Sequence, residues 1–169
     1  MPGTTTLDVL EPDQATDPAV EPRWLSEAEM AAWLPLVQLV HLLPQALDRQ
    51  LRADTGVSHV YYQILAMLSG APDGQLRMTE LADLTATSAS RLSHAVAALE
   101  DRGWVSRSAC PSDRRSQLAQ LTPAGRRALE QAAPGHVAEV RRRIFDRLDT
   151  DEVAQLRALA VKLSDAAAG

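Results

Sequence analysis

Ser88-Ala89-Ser90-Arg91-Leu92-Ser93-His94-Ala95-Val96-Ala97-Ala98-Leu99-Glu100-Asp101-Arg102-Gly103-Trp104-Val105 is the stretch on which the reading of this chain turns. With Leu92 at the origin of a helical wheel, Val96 and Leu99 fall within about 40° and Ala95 within about 60°, so one side is apolar. Ser90, His94, Ala97 and Asp101 project from the opposite side, with Arg91 and Ser93 on its shoulders. Ser88 stands where a hydroxyl caps the first turn. The stretch therefore predicts a helix with a buried stripe and an outer face that is small, polar and arginine-bearing.

Just before it, Thr79-Glu80-Leu81-Ala82-Asp83-Leu84 reads as a short helix joined by the tight Thr85-Ala86-Thr87 link. After Gly103, strands at about Trp104–Ser108 and Gln117–Leu121 flank a Pro111-Ser112-Asp113 turn, and Asp113-Arg114-Arg115 sits at the hairpin. Thr122-Pro123 then supplies a cap followed by proline at the first helical position. Helix, turn, helix and a two-stranded wing in that order define a winged helix-turn-helix, which places one helix in the DNA major groove while a basic hairpin reaches the flanking backbone or minor groove. Small residues on the outer face permit close approach to base edges. Arg91 can fork onto guanine, while Ser90, Ser93 and His94 can meet bases or phosphates. At the wing, one of Arg114 and Arg115 can enter the narrow minor groove while Asp113 braces the other.

Charge supports this division of labour. The 169-residue chain has a net charge of −5, an unpromising total for a partner of nucleic acid. Residues 1–55, however, carry nine acidic and three basic side chains, whereas residues 86–127 carry three acidic and seven basic ones. All seven are arginines (Arg91, Arg102, Arg107, Arg114, Arg115, Arg126 and Arg127), the residue best suited to forked phosphate and base contacts.

Outward from this core the chain turns helical and apolar. Residues 1–22, with four prolines among acidic and small residues, read as a flexible tail. Ser26 and Glu29 form a capping pair for a helix running to about Ala53, with Pro35 and Pro44 predicting one kinked helix or two segments before Gly56. Ser58 caps the next, whose expected buried stripe is Val60, Tyr61, Ile64, Leu65 and Leu68. A long helix is expected from Pro123 to about Leu148, disturbed at Pro134-Gly135, and Thr150 is expected to cap a last one through Ser164. Apolar faces before Gly56 and after Thr150 call for each other across a two-fold axis. Such a homodimer would present two reading helices about 34 Å apart, matching a palindromic duplex operator.

The expected organisation is a tail over 1–22, an N-terminal dimerisation region over 23–55, a winged DNA-binding domain over 56–127 and C-terminal dimerisation helices over 128–169. The fold class is mainly α. A hydrophobic content of 46% supplies a core, no apolar run reaches the roughly 20 residues of a membrane span, and the first residues lack a signal peptide's pattern. A cytoplasmic protein is expected, with no membrane partner. Cys110 is the single cysteine, the four histidines are dispersed, and neither a phosphate loop nor a nucleophile elbow is present. No metal, cofactor or enzymatic activity is expected. The competing readings are a redox sensor through Cys110, whose thiolate the neighbouring arginines would favour, and a winged-helix module that binds protein.

From about Trp33 to Ser164 the chain resembles the MarR (multiple antibiotic resistance regulator) family of transcription factors. The likeness rests on Thr79-Glu80-Leu81-Ala82, Ser90-Arg91-Leu92-Ser93-His94, Leu99-Glu100-Asp101-Arg102-Gly103-Trp104-Val105, Asp113-Arg114-Arg115 and Leu121-Thr122-Pro123-Ala124-Gly125. It implies an obligate homodimer with intertwined first and last helices reading an inverted repeat, most commonly as a repressor. Carried over by position, Ser88, Ser90, Arg91, Ser93 and His94 lie on the reading helix, and Asp113 and Arg115 match an Asp-x-Arg wing pair. It also implies a small, often aromatic effector bound between the dimer bundle and the winged domain, for which Trp33, His41, His59, Tyr61 and Tyr62 are the candidate lining residues.

Overall fold

The computed structural model describes residues 22–110 and 113–168, with the side chains of Arg114, Arg115 and Ala168 outside that description. The predicted tail lies outside the described residues except for its last, Pro22. Among the described residues the elements are α1 (Glu27–Thr55), α2 (His59–Gly70), β1 (Gln75–Arg77), α3 (Met78–Leu84), α4 (Ala89–Asp101), β2 (Val105–Cys110), β3 (Asp113–Leu121), α5 (Pro123–Arg143) and α6 (Thr150–Ala168). Short 3-10 turns at Pro72–Gly74 and Phe145–Arg147 complete them.

Two compact units divide the chain at Val37 and Gln38. The first contains the start of α1. There the Ser26 and Glu29 capping pair forms as expected, Glu29 N–H donating to the Ser26 hydroxyl at 3.3 Å and Ser26 N–H to the Glu29 carboxylate at 2.8 Å. The Ser26 N–H and the Ser26 hydroxyl, both donating to the Glu29 carboxylate at 2.8 Å, hold that carboxyl below the usual carboxylate range. Trp33, Leu34 and Leu36 are exposed. Helical geometry continues through Pro35 and Pro44, so α1 is one helix of 29 residues.

The second unit holds the core. Ile64, Leu65 and Leu68 of α2, Leu81 of α3, Leu92, Val96 and Leu99 of α4, and Val105, Ala119 and Leu121 of the sheet form one buried cluster. Val60, expected in the α2 stripe, is instead exposed. A third strand was not foreseen: β1 pairs with β3, Leu76 opposite Ala119, giving an antiparallel sheet in the order β1-β3-β2. Three residues are too few to show alternation, and the turn before them, where Asp73 and Gly74 both take positive φ, was the only local signal.

Two glycines explain the sequence around the wing. Gly103, at φ +69°, closes α4 and lets Trp104 N–H return to the Leu99 carbonyl at 2.9 Å. Gly125 sits against the chain: a Cβ there would run into the Trp104 carbonyl and lie 2.9 Å from Leu121 Cδ1. Thr122 joins the two, its hydroxyl donating to the Gly103 carbonyl at 2.7 Å and accepting from Gly125 N–H at 3.0 Å. The Leu-Thr-Pro-Ala-Gly run is thus a strand end, a cap and a close backbone crossing in five residues.

The helix ends shift slightly from expectation. α5 stops at Arg143 although Pro134 lies within it. Asp149 rather than Thr150 caps α6, its carboxylate accepting from Asp151 and Glu152 N–H at 2.9 Å each. Among the described residues α1 alone is long and apolar enough to cross a membrane by length and composition. Within the second unit, Leu39, Val40 and Leu42 of α1 and Leu156, Leu159, Val161 and Leu163 of α6 are exposed.

Candidate nucleic-acid interface

The reading helix is built as its sequence predicts. Ser88 caps it, the hydroxyl accepting from Arg91 N–H at 3.5 Å. Leu92, Ala95, Val96 and Leu99 are buried, and Ser90, Arg91, Ser93, His94 and Asp101 are exposed. Neither Ser90 nor His94 is sealed inside the protein. A cleft of about 300 Å³ lies at the N-terminal end of this helix, lined by Met78, Thr79, Ala89, Ser93, Ser116 and Gln117. It brings α3, α4 and β3 to one place and adds Thr79, Ser116 and Gln117 to the polar surface. The sequence reading did not single out these three: Thr79 and Gln117 stood in expected elements without a role, and Ser116 joins them because β3 begins at Asp113, earlier than the expected strand.

At the wing, β2 and β3 pair from Val105 opposite Leu121 to Ala109 opposite Gln117, with an irregularity at Cys110, which faces Asp113. Asp113 accepts from the Ser116 hydroxyl at 2.6 Å. Arg114 and Arg115 belong to β3, and their expected roles fall on side chains outside the described residues. Cys110 is 4% exposed, which leaves little access for an oxidant, and it borders a cleft lined by Leu76, Arg77 and Leu118.

The remaining arginines of the positive segment are not equivalent. Arg102 lies 5.3 Å from the Tyr61 ring centroid and 5.1 Å from that of Trp104. Arg107 is held by Glu100, with its Nε donating at 2.8 Å, a second guanidinium nitrogen at 2.6 Å, and its backbone N–H at 3.2 Å. The Arg107 hydrogen bonds keep the Glu100 carboxyl below the usual carboxylate range.

A second cleft, about 430 Å³, opens on the other flank of α4 between the C-terminal half of α1 and the start of α2. Asp48, Arg52, Ser58, Tyr61, His94 and Arg102 line it with Gly56, Val60 and Ala95. Tyr61 alone of the expected effector residues is there. His59 and Tyr62 turn instead to His136 of α5, with ring centroids 5.7 Å and 4.2 Å away. Burial pushes His59 down, against the opposing charge of Asp48. It also pushes His136 down, with His59 adding to the effect, and it pushes the Tyr62 phenol up. Asp48 is raised by burial. The hydrogen bonds from Arg52 and from His59 N–H, with the Arg52 charge, outweigh that and leave it lowered. His41 and Trp33 are exposed on α1. Among the described residues no cluster of His, Cys, Asp or Glu could hold a metal ion.

A capped two-helix unit with an outward polar helix, followed by an antiparallel hairpin, defines the class of winged helix-turn-helix DNA-binding regulators. The MarR family model matches residues 55–116, the segment from the end of α1 to the wing. Sco3205, a MarR family transcriptional regulator from Streptomyces coelicolor solved in complex with DNA, is 46% identical, with 87% of this chain and 92% of that one covered and a TM-score of 0.81. AbsC, a MarR family transcriptional regulator from the same organism, is 36% identical over 84% of this chain and 98% of its own, with a TM-score of 0.75. The multiple antibiotic resistance protein MarR of Salmonella typhimurium is 26% identical over 133 residues, 77% of this chain and 91% of that protein. The chain belongs to the MarR family.

Proposed function

We propose that this protein is a homodimeric, sequence-specific DNA-binding transcription regulator that represses its own or neighbouring genes and is released by a small ligand. The observation that carries this reading is the division of α4 into a buried stripe and an exposed face of Ser90, Arg91, Ser93 and His94. That face enters the major groove, with Arg91 on a guanine and the serines and His94 on base edges or phosphates. Ser88 closes the helix end toward the backbone. The hydroxyls of Thr79, Ser93 and Ser116 in the adjoining cleft suit phosphate oxygens. Arg114 and Arg115 occupy the wing, one in the minor groove, with Asp113 bracing the other. Sco3205 is solved with DNA, which supports the same use of this fold.

The exposed apolar faces of α1 and α6 support dimerisation through residues 23–55 and 128–169, each chain covering the other's leucines and valines. That assignment also accounts for the apolar length of α1 without a membrane and places the protein in the cytoplasm with its DNA. The 56–127 domains then read a palindromic operator. A ligand in the 430 Å³ cleft would contact His94 of the reading helix directly. If it binds the arrangement of the two winged domains that does not fit the operator, it lowers occupancy by that difference in affinity.

The test is a titration of the full chain against a duplex containing the palindrome nearest its own promoter, and against mixed-sequence duplex, at several salt concentrations. The expected affinity falls steeply with salt, and each phosphate contact contributes about one unit to the logarithmic slope. Arg91→Ala is expected to weaken the palindrome selectively, whereas Arg115→Ala weakens both duplexes several-fold, and both variants remain dimeric in sedimentation. Salt-independent binding, or unchanged isotherms for both variants, would overturn the assignment.

A further inference from the structure

We infer that Glu100 is a positioning residue for DNA binding: it locks the wing to the reading helix through Arg107, and Arg107 is thereby a strut of the protein and not a phosphate ligand. This rests on the DNA-binding reading above but concerns two residues which that reading leaves without a role. Glu100 lies in the last turn of α4, and Arg107 is the third residue of β2, across the Gly103 turn. One carboxylate makes three contacts with one residue. Oε2 receives the guanidinium Nε at 2.8 Å and a second guanidinium nitrogen at 2.6 Å, and Oε1 receives the backbone N–H at 3.2 Å.

The backbone bond is the informative one. In the order β1-β3-β2, β2 is an edge strand, and the Arg107 N–H that reaches Glu100 is not spent on β3. An edge strand leaves alternate N–H groups unpaired. Glu100 takes one of them and so fixes the strand itself, while the forked guanidinium fixes rotation about it. An ion pair between side chains alone would leave the strand free to swing.

Placement makes the clamp matter. From Arg107 to Cys110 the strand runs three further residues toward the wing tip, about 10 Å. A rotation of about 10° at the clamp would move that tip by about 2 Å, beyond the roughly 0.5 Å tolerance of a positioned contact. Helix and wing must engage adjacent grooves together, so their angle decides whether the second contact forms once the first has. The two shares of the surface chemistry then differ. Arg91 and the wing arginines meet the duplex, and Arg107, of the same charge and in the same segment, holds the frame.

Three full-length variants decide the matter: Glu100→Gln, Arg107→Gln and the double substitution. Each is titrated against the palindromic duplex, with guanine methylation protection reporting the major groove and hydroxyl-radical protection reporting the wing contacts. The expected result is a loss of about tenfold in each single variant and no further loss in the double, because either change opens the same clamp. Wing protection fades while guanine protection persists, and the thermal midpoint and dimer are unchanged. Glu100→Gln that binds as well as the parent, or more tightly because Arg107 has been released to phosphate, overturns the inference. Equal loss of both protections with a lowered thermal midpoint overturns it in favour of a fold-stability role. Failure of the unaltered protein to bind any duplex would instead strike the DNA-binding reading itself.

Discussion

The winged domain and the terminal helices spend their leucines differently. In the domain, Leu65, Leu68, Leu81, Leu92 and Leu99 are at most 1% exposed, whereas Leu159 and Leu163 of α6 remain more than half exposed. Burying a leucine contributes about 1.5–3 kcal/mol in proportion to the area removed from water, so the first group holds its domain together within one chain and the second leaves more than half of that contribution unused. The contrast separates the two tasks of the molecule. One region is finished when the chain folds, and the other, on the proposed reading, is finished by association.

The sharpest way to break that contrast is to make the same change on each side. Leu99→Ala is expected to cost about 2–5 kcal/mol, by lost transfer and the cavity left behind, and the cost should be the same at every protein concentration. Leu159→Ala should leave the winged domain intact and shift the urea midpoint only through the dimer, by an amount that grows on dilution. Denaturation of both variants at two concentrations a hundredfold apart checks this. A concentration-independent loss at Leu159 would mean that α6 packs within its own chain.

Within the finished region, the most closely approached of the described glycines is Gly125. Replacing it with alanine sets a methyl against the Trp104 carbonyl and Leu121, and the start of α5 must move away from the strand end. A loss of about 1–3 kcal/mol is expected, the cost of overpacking, with wing contacts to DNA weakened as well. Gly135→Ala, which would meet Asp54 Oδ2 at 2.9 Å and Gln50 Nε2 at 3.0 Å, faces the ends of side chains that can turn aside and should cost less. Urea unfolding of the two variants ranks them. If the order is reversed, the backbone crossing at Trp104 is softer than its geometry states.

The sequence spoke most clearly where one element carried two opposed faces. The buried set of α4 followed from the wheel around Leu92, and the caps at Ser26, Ser58, Ser88 and Thr122 followed from single hydroxyls. β1 was silent because its partner, β3, lies more than forty residues away, and pairing at that range leaves no local period. The charges of residues 86–127 were legible as a total but not in their uses. Arginine is spelled alike whether it is held by Glu100, stacked near Tyr61 and Trp104 or exposed like Arg91. The effector candidates were the least legible. Aromatic and imidazole side chains near a helix junction suit a cavity or a packed cluster equally, and His59 and Tyr62 went to the second.

That cluster supplies the smallest expected effect, and it sits where α2 meets α5. Facing it are Asp48 and Arg52 of α1, with Gln50 and Asp54 beside Gly135; His136 Nδ1 is buried without a hydrogen-bond partner among the described residues. Burial lowers both imidazoles in the folded chain, and each imidazolium would further disfavour its neighbour. An unfolded chain returns them to about 6.5 and binds protons first. Stability from this source is therefore complete above about pH 6.5 and is lost as the pH falls through the lower folded values. Asp48, whose carboxylate takes the His59 N–H at 2.9 Å, opposes the shift at His59 and limits its size. Urea midpoints between pH 5 and 8 should decline on the acid side, and His136→Gln should flatten that decline by removing one proton site and relieving the other. An unaltered acid limb in His136→Gln would remove the histidine pair as its source, because Glu100 and Glu139, lowered by their arginine partners, lose their contribution only below that pH range.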